Sequence, residues 1–135
     1  MTKIKCSYLG NLKCEAIHLQ SGSLIKTDAP LDHFGKGESF SPTDLLATSL
    51  GTCLLTIMAI KAKSKGFDLD GIYLNIEKIM TQNSERKIKV LIIDIFISES
   101  TSNKTIDFLK KASEDCPVTR NLSQEINIKI SWRKI

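Results

Sequence analysis

The chain has 135 residues and a mass of 15.0 kDa, with 41% hydrophobic and 25% charged residues, an ordinary globular balance for one domain. Its net charge of +4 is mild and scattered along the chain, which excludes the concentrated basic footprint of a nucleic-acid binder. The opening MTKIKCSYLG lacks the apolar stretch and cleavage site of a secretory signal, so a cytoplasmic location is the expectation. In that reducing compartment four cysteines are not expected to build a structural disulfide framework. They stand at 6, 14, 53 and 116, with no C-x-x-C pair and only His18 and His33 as histidines, so no metal site is expected either.

No linker, repeat or low-complexity segment interrupts the chain, which reads as a single domain over residues 1–135. Residues 3–8, 13–19 and 23–28 are short strand-like runs separated by Gly10-Asn11 and Ser21-Gly22, which predicts a β-meander. Residues 29–40, APLDHFGKGESF, form a longer loop, and loops of that length in compact domains are often functional.

A helix follows with a clear start. Ser41 is a natural N-cap, Pro42 suits the first helical position, and Asp44 three residues after the cap completes an acidic capping box. The helix is expected to run to about Lys65, with Lys61, Lys63 and Lys65 at its negative end and Gly66 as the stop. Residues 45–60, LLATSLGTCLLTIMAI, carry no charge. A bilayer span needs about twenty apolar residues, so this run reads as a central helix buried nearly all round, and no membrane association is expected. So short a chain has little with which to wrap such a helix, which points to a second subunit. Gly51 inside it costs about 1 kcal/mol relative to alanine, a cost expected where another helix or a ligand approaches the backbone.

Residues 72–80 and 87–97 alternate like strands around the polar turn TQNSER. Residues 103–114 form an amphipathic helix with Ile106, Leu109 and Ala112 as its stripe and Ser102 or Asn103 as its cap, and residues 125–132 read as a last strand. The order βββ-α-ββ-α-β predicts an α+β domain.

Two cysteines stand out. Cys116 precedes Pro117 and is placed to cap a short helical turn, where the helix N-terminus favours a thiolate. Arg120 would add to that effect and Glu114 and Asp115 oppose it; the other reading is a small residue closing a helix-to-strand connection. Cys53, in the middle of the uncharged helix, is either a core filler or a protected nucleophile. Cys6 and Cys14 read as strand fillers.

The blocks SFSPTDLLATSLGTCLLTIMAIKAKSKG and ASEDCPVTRNLSQEINIKI together resemble the OsmC/Ohr family, the osmotically inducible and organic hydroperoxide resistance proteins, in its OsmC-like branch. The resemblance implies an intertwined homodimer with two long helices at its centre. It implies a thiol-dependent peroxidase acting on organic hydroperoxides, with no cofactor and an external dithiol reductant. Cys53 matches the peroxide-attacking cysteine and Cys116 the resolving cysteine that forms a disulfide with it. Asp44, nine residues before Cys53, falls on the family's helix-start acidic residue, a role that competes with simple capping. The arginine that family members often supply from the N-terminal region has no counterpart before Arg86, which leaves Lys26, Lys36 or His33, in this subunit or its partner, as stand-ins. The alternatives are a non-catalytic small-molecule binding or scaffold protein of the same fold, which the missing arginine favours, and an RNA-binding module. The latter is opposed by the lack of a GxxG loop and by an aromatic content of only 6%.

Overall fold

Three short alternating runs build the first sheet. Strands β1 (Ile4–Gly10), β2 (Lys13–His18) and β3 (Leu24–Asp28) pair antiparallel in the order β1-β2-β3. Between β1 and β2, Asn11 and Leu12 both adopt left-handed backbone angles, with φ of 53° and 62°. That is the two-residue geometry whose twist matches the flanking strands. Asparagine accepts it readily, whereas a leucine there is strained.

The computed structural model describes residues 1–135 and divides them into two compact units, residues 1–46 and 47–135. In the first unit a buried carboxylate organises the long loop. Asp28 is 1% exposed, and its Oδ2 accepts from Lys13 Nζ at 3.0 Å and from the Glu38 N–H at 3.0 Å. Lys13 also reaches Glu38 Oε2 at 3.1 Å. The Glu38 N–H and the Lys13 ammonium hold the Asp28 carboxyl below the usual carboxylate range. The loop is thereby drawn back onto the sheet, passing through a one-turn 3-10 helix at Leu31–His33. It turns so tightly that a side chain at Gly35 would run into the Ala29 carbonyl. No apolar residue before Ala47 is buried; Asp28 and Ser41 are the only buried side chains in this unit.

Helix α1 (Pro42–Ser64) starts with the expected reciprocal cap. Ser41 Oγ accepts from the Asp44 N–H at 3.1 Å, and Asp44 Oδ2 accepts from the Ser41 N–H at 2.8 Å. The chain leaves the helix through Gly66 at φ 83°.

Residues 47–64 of α1 belong to the second unit, with β4 (Tyr73–Met80), β5 (Ile88–Ile97), α2 (Asn103–Ser113), α3 (Pro117–Asn121) and β6 (Asn127–Lys134). The sheet order is β4-β5-β6, with β4 antiparallel and β6 parallel to β5. Ser102, one of the two expected caps, starts α2 by accepting from the Thr105 N–H at 3.1 Å. The α+β class holds as expected, with α3 as the additional short helix that Cys116-Pro117 signals. The core joins Leu50, Leu54 and Met58 of α1 to Leu91, Ile93 and Ile95 of β5 and Leu109 of α2.

One expectation is corrected, at Gly51. Within one chain α1 is covered on one face only, as so short a chain implies: Ala47, Leu50, Gly51, Leu54, Met58 and Ala62 form a single buried stripe, while Leu46 and Ile60 stay 41% and 57% exposed. By length and composition α1 would also suffice to cross a membrane, but its stripe packed into the core marks it as a core helix. At Gly51 the close approach comes from β4, neither from a helix nor from a ligand. A Cβ there would lie 2.5 Å from Ile76 Cδ1 and 3.0 Å from Leu74 Cδ1.

Candidate active site

Cys53 flanks the buried stripe of α1 and is itself half-buried. Cys116 is reached by a sharp change of direction after α2. Its N–H donates to the Ser113 carbonyl at 3.3 Å, and its own carbonyl accepts from the Arg120 N–H at 3.4 Å, which starts α3. Pro117 takes the first helical position, where a missing N–H costs nothing. Cys116 is therefore the helix cap that its neighbours imply, and it is fully buried in the core cluster. Lys61 of α1 pairs with Asp115 at 3.3 Å and holds the turn beside the helix. Both partners are about half-exposed, so the pair adds well under 1 kcal/mol.

The fold brings Cys53 and Cys116 together. Both are free thiols, and their side chains are within hydrogen-bonding reach of one another. Their environments differ. Burial pushes the Cys53 thiol up, the Cys116 sulfur adds to that, and only the Val118 N–H works against it. Burial also opposes ionisation of Cys116, but there it is outweighed by the Cys53 thiol, the Thr119 hydroxyl, and the Thr119 and Val118 N–H groups, so this thiol is held below its ordinary range. The Cys116 side chain closes no capping hydrogen bond of its own. The two thiols thus sit in unlike surroundings, with the Val118 and Thr119 donors gathered around Cys116.

Arg120 does not serve the thiol. Its guanidinium turns outward to Asp115 Oδ1 at 3.4 Å, because an exposed carboxylate is a better partner than a sulfur beneath the helix start. Thr119 does not stand out in the sequence, although its position three residues after the capping Cys116 is the signal that could have found it. Elsewhere, Cys6 is exposed on β1 opposite Ala16, and Cys14 is half-buried on β2 opposite Tyr8. His18 Nδ1 bonds Ser21 Oγ at 2.7 Å. In the first unit Asp44 is engaged in the cap, Lys26 lies opposite Glu15 on β3, His33 packs on Phe34, and Lys36 is exposed in the loop.

Residues 35–131 match the family model for OsmC-like protein. The chain belongs to the OsmC-like family. The fold agrees with solved relatives over nearly its whole length. A Psychrobacter arcticus protein, named as an osmotic stress induced and detoxification response protein, is 41% identical, with a TM-score of 0.91 over 98% of this chain and 96% of that one. The organic hydroperoxide resistance protein OsmC of Legionella pneumophila is 18% identical with a TM-score of 0.77, covering 100% and 97%. The organic hydroperoxide resistance protein OhrB of Bacillus subtilis is 14% identical with a TM-score of 0.72, covering 98% of each chain. A search of curated proteins finds no match.

Proposed function

We propose that this OsmC-like protein is a thiol-dependent peroxidase that reduces organic hydroperoxides. Cys53 attacks the distal peroxide oxygen, the O–O bond breaks, and an alcohol leaves while Cys53 becomes a sulfenic acid. Cys116 then attacks the Cys53 sulfur and displaces hydroxide, and the resulting disulfide is reduced by an external dithiol. No cofactor takes part. The single observation that carries this reading is the meeting of two free thiols from positions 53 and 116, one half-buried and one fully buried. Both cysteines belong to the apolar cluster with Leu50, Leu54 and Leu109, which favours an organic hydroperoxide over hydrogen peroxide. Membership of a family that includes organic hydroperoxide resistance proteins supports the same substrate class. Asp44 is proposed to take part in the reaction on the strength of the family resemblance alone.

The working unit is proposed to be a homodimer in the cytoplasm. The first unit has a three-stranded sheet but no buried apolar residue, and it leaves Ile4, Tyr8, Ile25 and Phe34 between 49% and 88% exposed. A small sheet without a core is not stable alone, and the open face of α1 needs cover as well. A second copy of the chain supplies both.

One equivalent of cumene hydroperoxide is expected to consume two thiols per chain and to give a Cys53–Cys116 disulfide, read by peptide mapping under non-reducing conditions. Cys53→Ser is expected to abolish peroxide consumption, and Cys6→Ser and Cys14→Ser to leave it intact. A Cys53 inert to peroxide in the folded protein would make it a core residue and end the peroxidase reading. That outcome would favour the non-catalytic alternative, which the missing N-terminal arginine and the upward-pushed Cys53 thiol also favour.

A further inference from the structure

Helix α2 and strand β6 leave a cleft between them that the thiol chemistry does not use. On α2, Ile106, Asp107 and Lys110 recur at the three- and four-residue spacing that sets them along one side of a helix. On β6, Trp132 and Lys134 alternate onto one side of the strand. These residues and Arg133 line a space of about 400 Å³, a size that holds a small organic ligand. Trp132 is half-buried; it packs against the core cluster and also borders the cleft. A large aromatic wall with a few polar groups converging on it is the usual make-up of a ligand site.

The charges of the lining narrow the ligand. Arg133 is occupied by Asp94 of the neighbouring strand, at 3.2 Å. Lys110 and Lys134 form no ion pair, and neither does Asp107. Two ammonium groups against one carboxylate leave an excess of one positive charge, which suits a monoanion better than a phosphate dianion. We propose that this cleft binds a small aromatic monoanion of the aryl-carboxylate class, with its ring against Trp132 and its carboxylate held by Lys110 and Lys134. The indole offers a broad apolar surface at little cost in side-chain freedom. The lysines attract the carboxylate, and a concave low-dielectric wall strengthens that attraction relative to an open surface. No step of the peroxidase reading passes through this cleft, so the two stand or fall separately.

Trp132 is the one tryptophan of the chain, so its indole N–H gives a single resonance in a nitrogen–proton correlation spectrum and reports on the cleft directly. Phenylacetate titrated into the whole protein is expected to shift that resonance saturably, with a dissociation constant of about 1 mM or tighter. Phenethyl alcohol keeps the ring without the charge, and acetate keeps the charge without the ring. Each is expected to bind at least about tenfold more weakly than phenylacetate. The double variant Lys110→Gln/Lys134→Gln is expected to weaken phenylacetate binding about tenfold. Asp107→Asn removes the repelling carboxylate and is expected to tighten binding about two- to fivefold, a gain that misfolding cannot imitate. No saturable shift by about 20 mM phenylacetate would overturn the proposal. Equal binding of phenethyl alcohol would overturn it by making the cleft a plain apolar hollow, and equal binding of acetate would leave Trp132 no part in it. Unchanged affinity in both charge variants would overturn it as well.

Discussion

Gly51 offers a measurable test of how α1 meets its sheet. A methyl group at this position would lie 2.5 Å from Ile76 Cδ1, 3.0 Å from Leu74 Cδ1 and 3.5 Å from Ile76 Cγ1. Carbon contacts settle at about 3.5–4 Å, so the Ile76 terminal methyl must retreat by about 1 Å or α1 must lift from β4. Alanine improves helix propensity by about 1 kcal/mol, whereas overpacking a formed core costs about 1–3 kcal/mol. The clashing atoms are side-chain ends rather than backbone, which places the cost in the middle of that range. Gly51→Ala is therefore expected to lose about 1 kcal/mol net, read as a lower urea midpoint at fixed protomer concentration with an unchanged m-value. Ile76→Val removes the offending Cδ1 and alone costs about 0.5–1.5 kcal/mol. The double variant is expected to be more stable than the sum of the two single losses, because the shortest contact is then absent and only the 3.0 Å approach of Leu74 Cδ1 remains. Gly51→Ala stabilised by about 1 kcal/mol, with additive behaviour in the cycle, would refute the close approach of β4 as the reason for this glycine.

Oxidation to the Cys53–Cys116 disulfide closes a loop of about 63 residues, for which the chain-entropy relation gives about 4 kcal/mol of stabilisation. A urea midpoint unchanged on oxidation would mean that native strain cancels the loop term. Ser41→Ala removes the hydroxyl that accepts from the Asp44 N–H and is expected to cost about 1 kcal/mol by the same assay; no loss would make the cap dispensable. Asp44→Asn keeps an acceptor for the Ser41 N–H, so stability is expected to hold within about 0.5 kcal/mol while peroxide consumption falls. Full activity in that variant would restrict Asp44 to the cap. Sedimentation equilibrium at micromolar concentration is expected to give about twice the 15.0 kDa chain mass, with an interface in the obligate size class; a stable folded monomer would remove the dimer.

Much of the fold is legible because its signals are local. The reciprocal bonds of Ser41 and Asp44, the stop at Gly66, the cap at Ser102, the turn at Gly10-Asn11 and the Cys116-Pro117 helix start each depend on residues a few positions apart, whose backbone chemistry does not need the rest of the chain. What surrounds a segment is not legible in this way. The run 45–60 carries no charge, and only threonines such as Thr52 and Thr56 mark its outward face, so a stripe through Leu50, Leu54 and Met58 reads as burial nearly all round. The buried Asp28 escapes a reading of the sequence for the same reason, since its partners Lys13 and Glu38 come from strand and loop positions 15 residues before it and 10 after it.

The thiol pair divides along the same line. By itself the sequence determined that Cys116 caps a short helix and that Cys53 sits within an apolar one, because capping and periodicity are short-range properties of the backbone. Only the tertiary structure decided that Arg120 turns to Asp115, that Thr119 and Val118 serve Cys116, and that burial opposes ionisation of Cys53. Those outcomes depend on desolvation and on donors within a few ångströms of each sulfur, and such distances exist only once the chain between positions 53 and 116 has closed.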